Sequence, residues 1–199
     1  MRTVISIQGK NTRLGLLFKT PKYNLLYNGI PAIQHTVNYM EQFGPVHVLG
    51  LEGQQAPNLV KLPFLPLIDC LKKFGLEDDT FYIDCDVIPL KINRPTFDTI
   101  YTFKHDDKSP NQYGNVHVFM NAHVSTGVVI ESNEKGKPFN YCTAGIYFFQ
   151  RAEWFDKYSH GCVSLSQVYN KMIVAGRRVY ADTTSEIFRF GTLHDITGL

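Results

Sequence analysis

The chain has 199 residues, 44% of them hydrophobic and 19% charged, enough to bury one core without disulfide or metal staples. A formal net charge of +2, with no run of Lys and Arg, excludes a nucleic-acid surface built on bulk charge. The cysteines Cys70, Cys85, Cys142 and Cys162 form no CxxC pair, which argues for reduced thiols over a disulfide framework or metal centre.

The opening MRTVISIQGK has too short an apolar run for a signal peptide, and no later stretch approaches a membrane span. A cytoplasmic protein with no membrane partner is expected. Residues 3–8, β-branched and apolar up to Gly9, predict a short buried strand. Residues 9–23 hold Gly9, Gly15 and Pro21 without any period and predict a long loop. Asn28-Gly29 marks a turn. Pro31 at the first helical position and Gly44 past the end predict a helix over 31–43.

A strand is expected at 46–49, a polar stretch at 51–61, and a helix over 65–74 stopped by Gly75. A third apolar strand at 80–83 runs into Asp84-Cys85-Asp86. The order β-α-β-α-β implies a parallel sheet covered by helices, with ligands beyond the carboxyl ends of its strands. The Gly9 loop and the acidic pair then fall at one sheet edge.

The second half reads as strands at 98–104, 115–121, 124–130 and 143–149, helices at 151–158 and 164–175, and short strands at 177–181 and 187–190. Thr192 would cap a last helical turn, with Asp195 as its capping-box partner. Without an internal repeat or linker, the chain is expected to be one α/β domain over 1–199. Its sheet would be Rossmann-like, mixed and mainly parallel, flanked by helices, with a nucleotide-binding half at 1–90 and an acceptor-binding half at 91–199.

Each polar feature carries a chemistry. Gly9 after a strand lets backbone N–H groups approach a phosphate closely. Arg13 offers a planar fork of donors and Lys22 a compact positive charge, both suited to phosphate oxygens. Asp84 and Asp86, two apart in extended chain, point to one side and can share a hard cation, or else close a turn.

Gln8-Gly-Lys-Asn-Thr-Arg-Leu14, Thr20-Pro-Lys-Tyr23 and Gly29-Ile-Pro-Ala-Ile-Gln-His35 together resemble the start of the sugar-1-phosphate nucleotidyltransferases. Asp84-Cys-Asp86 resembles that family's metal-binding strand end, Tyr113-Gly114 a sugar-contacting pair, and Glu134-Lys135 its sugar-phosphate site. Residues 140–147 look like the substrate-facing strand, and Gly191-Thr192-Leu-His-Asp195 like a closing Gly-Thr-x-x-Asp. The resemblance spans nearly the whole chain and implies a nucleotide-diphospho-sugar transferase (GT-A-like) fold.

By this resemblance Gln8, Gly9, Lys10, Asn11, Thr12, Arg13 and Lys22 bind a nucleoside triphosphate, with Arg13 and Lys22 catalytic. Asp86 with Asp84 would hold Mg²⁺ or Mn²⁺. Tyr113, Gly114, Glu134, Lys135, Gly145 and Arg189 would shape the site for a sugar 1-phosphate or another phosphomonoester. Glu131 competes with Glu134 for the acid position, and Lys137 with Lys135 for the lysine.

Three departures stand out. Gln8 and Asn11 occupy positions where the family favours glycine. Arg189 stands where a second metal-binding aspartate is expected, leaving Asp182 or Glu186 as candidate replacements. Segment 55–66, where the family reads the base, has no recognisable match. Two other readings follow. One is a glycosyltransferase that uses Asp84-Cys85-Asp86 as an Asp-x-Asp grip on a nucleotide sugar. The other is a nucleotide-binding protein that has lost catalysis.

Overall fold

The computed structural model describes residues 1–8, 20–104, 115–120, 126–133 and 140–190. The first strand, β1 (Arg2–Ser6), lies between β4 (Val46–Gly50) and β6 (Thr80–Asp84), parallel to both. β5 (Leu59–Lys61) extends this parallel half beyond β4. Across the centre β11 (Tyr141–Phe149) runs antiparallel to β6 and to β8 (Thr99–Lys104). β12 (Tyr180–Asp182) lies parallel to β8, and β10 (Thr126–Asn133) and β9 (Asn115–Phe119) complete the sheet. Its order among the described residues is β5-β4-β1-β6-β11-β8-β12-β10-β9.

Strand alternation gives this sheet two apolar faces. Ile5, Ile7, Phe81 and Ile83 face one layer, which holds Ile33, Val37 and Met40 of helix α1 (Ala32–Met40). Val4 and Tyr82 face the opposite layer. There α2 (Leu67–Phe74), α3 (Ala152–Tyr158) and α4 (Leu165–Val174) contribute Leu71, Phe155 and Met172. With both faces covered, polar groups from connecting segments collect at the strand ends.

Three differences from the sequence expectation matter. Pro31 precedes the helix instead of opening it: it pairs with Leu26 in a hairpin of β2 (Leu26–Tyr27) and β3 (Ile30–Pro31), turned by Asn28 and Gly29 at positive φ. The stretch 51–61 contains β5. β7 (Val87–Lys91), disguised in sequence by its central Pro89, pairs antiparallel with β13 (Glu186–Arg189) outside the main sheet, where a proline is tolerated. Thr36 of α1 ties this ribbon down, its Oγ1 donating to the Val87 carbonyl at 2.9 Å. The expected turn at Thr192 and Asp195 lies outside the described residues.

Candidate active site at the carboxyl edge of the sheet

β1 and β6 end side by side, with Ser6 in register with Asp84. Gln8 thus lies just beyond one strand end and the acidic pair beyond the next. Gln8 and the acidic pair therefore share the carboxyl edge of the parallel strands, where such sheets bind ligands, while the Gly9 loop lies outside the described residues.

Lys22 reaches this edge from a single 3₁₀ turn, Lys22–Asn24, which follows Pro21. Its ammonium lies 3.1 Å from Asp86 Oδ2. Lys22 is 8% exposed, so most of its stem is out of water. Next to it Tyr23 is buried among Ile5, Ile33 and Ile83. Burial raises the Tyr23 phenol, nearby Cys85 adds to the shift, and a hydrogen bond with Gln54 opposes it. Gln54 itself binds the ends of two strands, accepting from Leu51 N at 2.6 Å and donating to the Ile7 carbonyl at 3.2 Å.

Asp84 Oδ1 accepts from the Tyr82 hydroxyl at 2.9 Å. The two residues are i and i+2 on one strand, so they share a face. Burial holds the Tyr82 phenol well above its ordinary range, and the Asp84 charge adds to this. Tyr82 therefore stays a proton donor to the carboxylate. The Cys85 thiol is driven far up by burial, then by Asp86 and Asp84, with Lys22 opposing. It is no nucleophile at neutral pH.

Gly145 faces Asp84 from β11. Its φ is +78°, and a Cβ placed there would lie 2.8 Å from Asp84 Oδ2 and 3.0 Å from Val87 Cγ2. The ladder between β11 and β8 shifts register between Thr143 and Tyr147, so Gly145 sits at an irregularity that re-aims the strand. A bare Cα here leaves room beside the carboxylate.

Arg189 enters from the second ribbon. It is in register with Val87, and the following N–H, of Phe190, donates to the Asp86 carbonyl at 3.1 Å. Its guanidinium carbon lies 3.4 Å from the centroid of Phe103, near the carboxyl end of β8. Burial pushes the neighbouring Cys142 thiol up to about 11, and the Arg189 charge partly offsets this.

Of the candidate replacement carboxylates, Asp182 is committed elsewhere and Glu186 lies away from Arg189, which corrects that expectation. Asp182 is 3% exposed. Its Oδ1 accepts from Thr184 N and Ser185 N at 2.9 Å, and its Oδ2 from Asn93 Nδ2 at 2.8 Å. Glu186 lies at the opposite end of the β7–β13 ladder from Arg189, with Lys91 Nζ 4.0 Å away.

Metal capacity follows from the donors. No group of three His, Cys, Asp or Glu side chains suited to an ion occurs among the described residues. Asp84 ends β6 and Asp86 follows in the turn at 85–86, not in extended chain as expected, so the two are oxygen donors at one strand end of a kind that suits a hard cation. They do not make a closed protein cage.

The structure thus pairs Lys22 with Asp86 and sets Gly145 against Asp84, with Gln8 on Leu65 and Arg189 on Phe103 at neighbouring strand ends. Gly9, Lys10, Asn11, Thr12, Arg13, Tyr113, Gly114, Glu134 and Lys135 lie outside the described residues, as does Lys137. Glu131 is on β10, next to the far edge strand of the sheet. Tyr82 and Phe103 escaped the sequence reading. The i, i+2 spacing of Tyr82 and Asp84 was the only signal for the former, and Phe103 had none.

This arrangement defines an α/β protein with the fold of the sugar-1-phosphate nucleotidyltransferases. A UDP-glucose pyrophosphorylase complexed with UDP-glucose superposes with a TM-score of 0.78 at 13% identity, covering 98% of this chain and 94% of that one. UTP-bound UGPase from Acinetobacter baumannii gives 0.73 at 17% identity, covering 98% and 90%. The inositol-1-phosphate CTP transferase of T. maritima gives 0.73 at 13% identity, again covering 98% and 90%. No protein-family model and no curated protein matches the sequence. No helix among the described residues is long and apolar enough to cross a membrane.

Proposed function

We propose that the protein is a nucleotidyltransferase that joins a nucleoside triphosphate to a sugar 1-phosphate, or a similar phosphomonoester, and releases pyrophosphate. The observation that carries this reading is the Lys22–Asp86 pair at the carboxyl edge of a sheet shared with such enzymes, with Arg189 on the adjoining β7–β13 ribbon.

An oxygen of the acceptor phosphate forms the new bond to the α-phosphorus, the α–β bridge bond breaks, and its electron pair leaves on pyrophosphate. The nucleophile is already an anion, so no general base is needed. This accounts for a site of cations and carboxylates without a Ser-His-Asp or Cys-His arrangement among the described residues. What the protein supplies is alignment of two anions and an offset to the charge that builds in line.

Lys22, already at the acidic strand end, binds triphosphate oxygens together with Arg13 and the Gly9 loop. Asp86, with Asp84, holds a divalent cation, Mg²⁺ or Mn²⁺. When bound, that cation neutralises phosphate charge and orients the triphosphate. Tyr82 fixes Asp84, so one oxygen is oriented before ligand arrives. Arg189, over the ring of Phe103, supplies positive charge where the family has a carboxylate. Tyr113, Gly114, Glu134 and Lys135, with Gly145, form the acceptor side, and the reaction takes place in the cytoplasm.

Pyrophosphate release from a panel of nucleoside triphosphates and sugar 1-phosphates, with Mg²⁺, tests this directly. Sugar transfer from a preformed nucleotide sugar without pyrophosphate release would replace it with the glycosyltransferase reading of Asp84-Cys85-Asp86. Nucleotide binding without turnover of any acceptor would leave a binding protein whose Arg189 has displaced catalysis.

A further inference from the structure

Gln8 is a described residue of this edge to which the proposed chemistry assigns no step. It follows β1, is 5% exposed, and its Oε1 accepts from Leu65 N at 3.3 Å. A backbone N–H can pair only with the oxygen of a carboxamide, so this contact fixes which end is which. The Nε2 donor is therefore turned elsewhere, and it is buried with no hydrogen-bond partner among the described residues. Gln54, close by, uses both ends of its amide on the scaffold.

Buried donors without acceptors are rare in folded proteins. Here the orphan donor stands at the ligand edge, on a side chain that the Leu65 contact holds in place. The chain leading to Leu65 lines an open cleft, formed by Lys61, Leu62, Pro63 and the half-exposed Phe64 with Leu51 and Glu52. A flat, largely apolar ligand group resting in such a cleft would lie beside the segment whose next residue, Leu65, holds the Gln8 amide.

We infer that the Gln8 carboxamide reads the nucleobase and selects triphosphates whose base presents a carbonyl there over those that present an amino group. This rests on the nucleotidyltransferase reading of the site and adds the class of its nucleotide: uracil, thymine or guanine in preference to cytosine or adenine. An amide donor completes its bonding with a carbonyl, whereas an amino group meets it donor to donor and leaves both unpaired. Unpaired buried polar groups are what give strong discrimination between bases of equal size. The fold alone does not decide the base, since similar structures include both a CTP transferase and a UTP-bound enzyme.

The test is equilibrium binding of UTP, CTP, GTP and ATP to the full chain at fixed Mg²⁺, by competition titration. Expected is a preference of tenfold or more for the carbonyl base in at least one pair, UTP over CTP or GTP over ATP. Gln8→Glu keeps the acceptor for Leu65 N–H and replaces the donor with a second acceptor, so that preference inverts. Gln8→Met removes both and brings the ratio near one. A wild-type ratio below tenfold in both pairs overturns the inference even if neither variant folds, as does a ratio that Gln8→Glu leaves unchanged. Binding without discrimination defeats this inference alone. Binding of no triphosphate defeats the nucleotidyltransferase reading, and this inference with it.

Discussion

Lys22 and Asp86, 64 positions apart in the chain, meet as an ion pair at 3.1 Å beyond the end of β6. The lysine is held by a 3₁₀ turn packed against α1 and the aspartate by the hinge into β7, so each arrives on a different rigid support. An arriving triphosphate would compete with Asp86 for the Lys22 ammonium, and Asp86 is the residue that would hold a divalent cation in the proposed function. Lys22→Ala is therefore expected to lower turnover by roughly 10²–10³, the usual effect of losing one preorganised charge donor. In the ligand-free protein the pair, still partly open to water, is expected to couple by only about 1 kcal/mol. Pyrophosphate release measures the first effect, and a double-mutant cycle with Asp86→Asn in chemical denaturation measures the second. A near-normal rate in Lys22→Ala removes that residue from catalysis.

Gly145→Ala places a methyl group against Asp84 Oδ2 in a backbone conformation, φ +78°, that L-residues resist. Left-handed backbone costs about 1–2 kcal/mol and overpacking about 1–3 kcal/mol, so a stability loss of about 2–5 kcal/mol is expected. If the carboxylate moves to relieve the contact, the Mg²⁺ concentration needed for nucleotide binding rises as well. Denaturant midpoints and a Mg²⁺ titration read these separately. A stability unchanged within about 0.5 kcal/mol contradicts the close approach, since only substitutions without such features fall in that range.

Arg189→Ala removes a charge-assisted donor and the contact with Phe103. Nucleotide affinity is expected to fall about tenfold or more, because hydrogen bonds to charged groups contribute about 1.5–3 kcal/mol. Loss of the ring contact costs a further ~0.5–2 kcal/mol of folding stability. Arg189→Lys keeps the charge without the forked donors and should restore affinity only in part. Isothermal titration of the three proteins decides: equal affinities would place Arg189 outside the phosphate site.

Asp98 offers a pH test away from the site. Burial raises its carboxyl above the ordinary value of 3.8, against the opposing influence of the Gln150 N–H and Arg177. A carboxyl raised in the folded state contributes its full stabilisation below pH 3.8 and loses it as pH climbs through the raised value. Asp98→Asn retains an oxygen to accept from Gln150 N, now 2.9 Å from Asp98 Oδ1, and cannot ionise. The variant is expected to be the more stable protein at pH 7, with its advantage closing as pH falls toward 4. Thermal unfolding across that range checks the sign, and an advantage that widens in acid contradicts it.

Much of this architecture is legible in the sequence. The strand at 3–8, the Asn28-Gly29 turn, the helices near 31 and 65, and the apolar run into Asp84 carry local signals of period, glycine and proline, and all have counterparts in the structure. Local signals fail where pairing is remote. β7 is hidden by Pro89 because its partner, β13, lies about a hundred residues away and outside the main sheet. β5 is three residues long, too short for any alternation to show. Asp182 reads as a free carboxylate in sequence, yet it is spent on the turn after β12.

By itself the sequence determined which residues had the chemistry for a phosphate and metal site and on which strand ends they would fall. Periodicity and turn chemistry are written in neighbouring residues. Only the tertiary structure decided which of them meet. It set Lys22 against Asp86, Gly145 against Asp84, Arg189 beside Phe103, and the Gln8 amide on Leu65. Those contacts depend on strand order and register across the sheet. A one-residue slip in either would turn the same side chains to the other face.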